Sequence, residues 1–391
     1  MTTTDYLAAA QDHMHSAGID AWLVCDFRGG NPVFAQLTGG PRHTTRRCYL
    51  LVPAAGGPRL LLHFIDANRL ADLGWATTTF YSRHDLEREL RALMAPYRRV
   101  ALEYSPLCAI PVVSRVDAGT VEWVRSFGVE VVSSADLIQY AAARWTSTQL
   151  ESHRSAARKL TEVAHLAFAF AGERLGTGVT EYDLVQHMRQ LFRERGLVTE
   201  DGPAASVDAH SGDPHYEPTA ETSVALRPGG WLLLDIWAKE TTPDAVYADI
   251  TWVGHAGPRP TERQSALFGV VADARDRAID FLRDSWQDGR PVAGWEVDRA
   301  AREVIERAGY ARYFTHRLGH SIGTSVHSTG VNLDDYETYD TRTLIPGIAF
   351  SVEPGVYLPE IGVRSEVDVY VGPDGPEVTT AIQREIVRIG G

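Results

Sequence analysis

The sequence predicts an α/β amino-terminal domain followed by an α+β domain with a mainly antiparallel sheet. Three observations predict it. The chain has 391 residues, more than one hydrophobic core usually organises. Its first third alternates short β-rich runs with helical periodicity, the pattern of an α/β unit. Its remainder surrounds long amphipathic helices with strand pairs joined by turns, the pattern of an α+β unit.

In chain order, AWLVCDF (Ala21–Phe27), CYLLV (48–52), RLLLHF (59–64), RVALEY (99–104) and VEVVSS (129–134) read as strands of a mixed or parallel sheet. DLERELRALM (85–94) has apolar residues at helical spacing. The region holds no Gly-rich phosphate loop, so nucleotide binding has no support. A long helical stretch follows at 146–175, where Ser and Thr precede the apolar periodicity as at a helix start. The boundary is placed within about 140–150, giving domains 1–145 and 146–391. Further helices are predicted at 180–196, 262–284 and 296–309. WLLLDIW, VYADITWVG, IAFSVEPGVYL and SEVDVYVG read as strands. Between the first two, the polar AKETTPDA carries Pro243 and Asp244, a turn signal.

Composition narrows the function. The hydrophobic fraction of 44% and charged fraction of 23% are those of a soluble globular protein. No apolar run approaches the roughly 20 residues of a membrane span. A net charge of −13 disfavours non-specific nucleic-acid binding. The opening MTTTDYLAAAQDHMHSAG lacks a basic region followed by an apolar core, so cytoplasmic residence is the expectation. Cys25, Cys48 and Cys108 have no CxxC spacing and read as ordinary thiols.

The chemistry lies in acids placed inside apolar strands. Asp235 sits in LLLDIW and Asp249 in ADIT. A buried carboxylate without a partner costs several kcal/mol or takes a proton. If the two strands pair, both acids lie on one face, and either a divalent cation or arginine pairing and turn capping relieves them. HRLGHSIGTSVH adds His316, His320 and His327, with glycines on either side of His320. FSVEPGVY adds Glu353, and RSEVDV adds Glu366. Asp235, Asp249, Glu353 and Glu366 carry −4, and two divalent cations carry +4. With the neutral nitrogen of His320, this oxygen-rich set suits Mn²⁺, and also Co²⁺, Zn²⁺ or Fe²⁺. Two metals sharing carboxylates would lower the pKa of a bridging water and supply hydroxide near neutral pH.

These five segments, in this order, resemble the pita-bread metallopeptidases: methionine aminopeptidase, aminopeptidase P and prolidase, with the metal-free creatinases as relatives. The resemblance covers about the whole chain and implies a creatinase-like amino-terminal domain before a catalytic domain with a curved sheet. It implies that Asp235 chelates one metal and Asp249 and Glu366 bridge both. His320 and Glu353 would bind the second metal, with Glu353 also handling the proton of the attacking water. PHY at 214–216 resembles the segment of a substrate-contacting histidine, which makes His215 a candidate. His327 matches a histidine near the scissile bond, and His316 one lining the pocket for the residue after the cut. Arg364 fits a role orienting Glu366 and contributing to substrate binding. His210 and His255 have no match and read as structural.

The chain departs from the family in two places. The spacing between Asp235 and Asp249 is a few residues longer than usual, which a longer hairpin tip at AKETTPDA would absorb; that tip could reach over the site. Trp252 stands where the family often has arginine. Creatinases lack the metal ligands that this chain retains. The leading expectation is therefore hydrolysis of an Xaa-Pro bond, by a dipeptidase or an aminopeptidase P, on short proline-containing peptides. One alternative keeps the fold and metals but acts on a non-peptide small molecule, as ectoine-hydrolase-like amidohydrolases or lyases do. Another is a non-catalytic binding protein. A homodimer is expected from the relatives. Arg42, Arg46 and Arg47 read as a solvated loop more readily than as a carboxylate site.

Overall fold

The computed structural model describes residues 3–390, and the chain divides into two compact units, Met1–Arg144 and Trp145–Gly391. The first unit is built on a six-stranded mixed sheet. Its strands are β1 (Ala21–Phe27), β2 (Arg47–Pro53), β3 (Arg59–His63), β4 (Ala76–Phe80), β5 (Arg99–Leu102) and β6 (Glu130–Ser133), in the order β4-β3-β2-β1-β5-β6. Strands β1, β2 and β3 pair antiparallel, and the outer pairings are parallel. Its helices are α1 (Thr3–Ala17), α2 (Pro32–Leu37), α3 (Arg83–Met94), α4 (Ala118–Arg125) and the one-turn α5 (Ala135–Ile138). Alternate residues of β1 feed two cores. Trp22 and Val24 join one, while Ala21 and Leu23 join the other. Burial on both faces explains why this strand reads as a continuous apolar run.

Strand β4 was not anticipated from the sequence. Its ATTTF is exposed at all but Phe80 and lies at the sheet edge, so it carries no apolar signal.

The second unit contains α6 (Ser147–Glu173), α7 (Glu181–Glu194), α8 (Glu262–Gln287) and α9 (Gly294–Arg307). The first three of these start on reciprocal capping boxes, Thr146 with Gln149, Thr180 with Asp183 and Thr261 with Gln264. Its strands are β7 (Leu197–Val198), β8 (Ala204–Val207), β9 (Trp231–Glu240), β10 (Ala248–His255), β11 (Ser321–Ile322), β12 (Ala349–Val352), β13 (Gly355–Leu358), β14 (Ile361–Arg364), β15 (Val367–Gly372), β16 (Gly375–Val378) and β17 (Val387–Arg388). One sheet runs β17-β10-β9-β7, with β8 also on β9; another runs β11-β12-β15-β16; β13 and β14 form a hairpin. Every pairing except β10 with β17 is antiparallel. The apolar side of α6 (Leu160, Val163, Ala164, Ala167) packs against β9 and β10, which places a wall of core behind the strands.

Two expectations need correction. AKETTPDA is not all hairpin tip, because β9 continues through Ala238, Lys239 and Glu240. Strand β7 pairs with that extension, and Glu240 accepts hydrogen bonds from Lys159 and Ser155. The extra length is thus spent on strand, and Ala245, Val246 and Tyr247 beyond it are buried. IAFSVEPGVYL is two strands rather than one. Glu353 and Pro354 separate β12 from β13, and Pro354 has no N–H for a continuing ladder.

Close backbone approach fixes Gly319, next to His320. A Cβ there would lie 1.9 Å from the Ser351 carbonyl oxygen, whereas a Cβ on Gly269 in α8 meets nothing within 4 Å. Gly319→Ala is expected to cost roughly 3 kcal/mol or more, and Gly269→Ala to gain about 0.5–1 kcal/mol. Denaturant unfolding of both variants checks this; equal stabilities would contradict the packing described.

Candidate metal centre

The register of β9 and β10 sets the first part of the site. Asp235 faces Thr251 across the ladder, and Trp237 faces Asp249. Side chains alternate along a strand, so Asp235, Thr251 and Asp249 share one face. Strand ends supply the rest. His320 precedes β11, Glu353 follows β12 and Glu366 precedes β15. Val352 pairs with Val367, so Glu353 and Glu366 leave the same end of one ladder.

The site therefore straddles two sheets. Two hydrogen bonds stitch them: Glu366 N–H donates to the Thr251 carbonyl at 3.2 Å, and Asp249 N–H donates to Asp368 Oδ2 at 2.8 Å.

The structure brings the predicted ligands together. Atoms of Asp249, His320 and Glu366 lie within 4.8 Å of one another. His320 Nε2 is 3.6 Å from Asp249 Oδ2 and 3.5 Å from Glu353 Oε1. Asp235 joins through Thr251, whose hydroxyl lies 3.2 Å from Asp235 Oδ1 and 2.7 Å from Glu366 Oε2. All five residues line one cleft of about 710 Å³, with His215, His316 and His327 also on its walls.

The electrostatics leave a gap that a cation fits. Burial, and then the neighbouring carboxylates, push Asp249 and Glu366 well above the usual carboxylate range. Burial also raises Asp235, against the pull of Arg364. Asp249 Oδ1 is buried without a hydrogen-bond partner. His320 Nδ1 lies 3.2 Å from the Ser321 carbonyl, which fixes that nitrogen as the donor and leaves the Nε2 lone pair free. Burial lowers the His320 pKa and so favours the neutral ring a metal needs. An orphaned carboxylate oxygen, converging acids and a neutral imidazole with one free nitrogen match the donor set of divalent cations.

Arg364 is placed differently from expectation. Its guanidinium meets Asp235 Oδ2, donates from Nε to Thr251 Oγ1 at 2.9 Å and from Nη1 to Tyr357 Oη at 3.0 Å. It reaches Glu366 through the Thr251 hydroxyl, because Asp235 is the acid opposite its fork. Tyr357 also hydrogen-bonds His316 Nε2 at 2.8 Å, while His316 Nδ1 lies 2.6 Å from the Arg317 carbonyl. Burial lowers His316 to about 4. His320 beside it, and then burial, lower His327 to about 4. The His327 ring stands edge-on to His320 at 4.3 Å. His215 is exposed on the cleft wall, its backbone N–H donating to Asp213 Oδ1 at 3.0 Å.

Thr251 and Tyr357 were missed in the sequence. Thr251 stands two residues after Asp249, so strand alternation carried a signal for it. His210 and His255 lie off the cleft; His210 Nδ1 is 3.0 Å from Glu181. Arg42 pairs with Asp72 within the first unit. The segment 238–248 supplies no cleft residue.

Residues 153–373, more than half of the chain, match Metallopeptidase family M24. Protein YkvY of Bacillus subtilis (strain 168) is 31% identical over 240 residues, covering 59% of this chain and 60% of YkvY. An uncharacterized peptidase of Staphylococcus haemolyticus (strain JCSC1435), SH1217, is 28% identical over 267 residues, covering 66% of this chain and 69% of its own length. The alignment with YkvY thus spans less than two thirds of that relative. Among solved structures, dipeptidase PepE from Mycobacterium ulcerans superposes with a TM-score of 0.75 at 24% identity, covering 100% of this chain and 99% of PepE. An Xaa-Pro dipeptidase from Bacillus anthracis gives 0.66 at 19% identity, with 99% of each chain covered. These structures share the two-domain fold described above. The chain belongs to metallopeptidase family M24.

Proposed function

We propose that the chain is a metal-dependent peptidase that cuts an Xaa-Pro bond in short peptides, as a dipeptidase or an aminopeptidase. The observation that carries this reading is the convergence of four carboxylates and the free Nε2 of His320 in one cleft with three further histidines. The names of the two solved structures make peptides the first substrates to test.

In this reading Asp235, Asp249, His320, Glu353 and Glu366 would hold divalent cations, with His320 and Glu353 serving one ion, Asp235 another and Asp249 and Glu366 serving both. Manganese is the preferred ion, with cobalt, zinc or iron accepted. When bound, the pair supplies Lewis acidity and a water acidic enough to attack near neutral pH. Glu353 would accept a proton from the attacking water and pass it to the leaving nitrogen. The Ser351 hydroxyl, 3.0 Å from Glu353 Oε1, keeps that carboxylate oriented. Neutral His327 donates a hydrogen bond to the oxygen that gains charge. His316, held between Arg317 and Tyr357, forms a fixed wall for the residue after the cut. Arg364 holds Asp235 in place and opposes the burial that raises its pKa.

Asp235→Asn or Glu353→Gln is expected to lower kcat on Xaa-Pro peptides by about 10²–10⁴-fold in manganese-loaded protein. Full turnover by either variant in steady-state assays would sink the assignment. A peptide-length series from dipeptide to pentapeptide separates dipeptidase from aminopeptidase. No turnover of any Xaa-Pro peptide by metal-replete protein favours a non-peptide substrate instead.

Metal should also govern stability. Asp249 and Glu366 bind protons more tightly in the folded, metal-free protein than in the unfolded chain. Their contribution therefore weakens folding as pH rises above the ordinary carboxylate range. Metal-free protein is expected to lose this stability from pH 5 to pH 8, and manganese to cancel the loss. Manganese at 100 times its Kd adds about 2.7 kcal/mol. Thermal unfolding with and without chelator across that range measures both effects. Metal affinity is expected to climb over the same range, because the metal displaces those protons.

A further inference from the structure

Glu181, the first residue of α7, is fully buried and carries no role in the chemistry above. Its carboxylate is nonetheless among the most heavily hydrogen-bonded in the second unit. Oε1 accepts the Val207 N–H at 2.6 Å, and Oε2 accepts the Val224 N–H at 2.9 Å. Both oxygens lie 3.0 Å from His210 Nδ1, and Oε2 accepts the Tyr216 hydroxyl at 2.8 Å. His210 and Tyr216 pack ring to ring at 4.2 Å. One carboxylate thus closes the neck of the 207–224 loop and fills its centre.

That loop carries His215 to the cleft. Its two halves are held differently. The first half is wedged against the β13–β14 hairpin: a Cβ on Gly212 would lie 2.4 Å from the Leu358 carbonyl, and one on Gly362 would lie 1.7 Å from the Ser211 carbonyl. The second half has no such wedge. Among the described residues, the hydrogen bond tying 214–222 to another element is that of Tyr216 to Glu181.

We propose that Glu181 is a positioning residue that sets His215 in the cleft through Tyr216 and His210. The proposal rests on the peptidase reading above, with His215, which lines the cleft, taken to face the substrate. Glutamine at 181 keeps one acceptor oxygen and turns the other into an N–H₂ donor aimed at groups that themselves donate. The neck then loses at least one bond, and His215 loses its fixed place. A misplacement of about 1 Å can cost on the order of 10²-fold in rate.

The test uses full-length, manganese-loaded protein with Glu181→Gln, Tyr216→Phe, His215→Ala and the Glu181→Gln/His215→Ala double variant. Tyr216→Phe removes only the phenol oxygen and keeps the test alive if Glu181→Gln does not fold. Expected results are unchanged metal stoichiometry, kcat/KM lowered by about 10–100-fold in Glu181→Gln, and less than a twofold further loss when Glu181→Gln is added to His215→Ala. Amide hydrogen exchange should quicken at 213–222 and stay unchanged along β9 and β10. A merely structural role would give multiplicative losses, which overturns the proposal. Unchanged exchange at 213–222 in both single variants overturns the anchoring whatever the turnover. Unchanged turnover in His215→Ala removes the role of His215, and the proposal with it.

Discussion

Mutual repulsion among buried carboxylates is the constraint on which this structure turns. Asp235, Asp249, Glu353 and Glu366 face one cleft, and among the described residues Arg364 is the permanent cation in direct contact with them. A fold that spent its stability on such a cluster without compensation would be under strain at neutral pH. Proton uptake by Asp249 and Glu366 relieves it, and divalent cations would relieve it in the function proposed above. In that reading the same groups act as a stability load and as the reason a metal would bind.

The surrounding structure reads as the means of keeping that repulsion in register. Thr251 offers one hydroxyl hydrogen between two acids while accepting from Arg364. Tyr357 ties Arg364 to His316, so the arginine and the pocket wall cannot move independently. Asp368 uses Oδ2 to hold the backbone of Asp249. Each contact fixes a ligand's direction without adding a ligand.

Much of this was legible in the sequence, and for a physical reason. An acid in LLLDIW or FSVEPG breaks an apolar period, and the break survives without any knowledge of contacts. The long helices of the second unit were legible because their caps and apolar stripes are local. What escaped depends on distance along the chain. Tyr357 matters through His316, 41 residues away, and nothing around Tyr357 marks it. Glu181 looks like an ordinary first-turn acid of a helix until its partners at 207, 210, 216 and 224 are seen. Strand β4 hid because threonines at an exposed edge resemble a loop. The AKE of the hairpin hid because its polar residues are paid for by Lys159, Ser155 and β7 rather than by the core.

The seam between the two sheets has a consequence of its own. Asp235 and Asp249 ride on one sheet, and His320, Glu353 and Glu366 on the other. Within a sheet, spacing is set by the backbone ladder, but across the seam it rests on two hydrogen bonds, Glu366 N–H to the Thr251 carbonyl and Asp249 N–H to Asp368 Oδ2. In the function proposed above, the preferred ion would therefore be adjustable by residues that never touch it. A methylene added to or taken from the Asp368 side chain, which carries one of those two bonds, would shift the two sets of acids against each other. Metal preference would then change while every acid of the cleft stays the same.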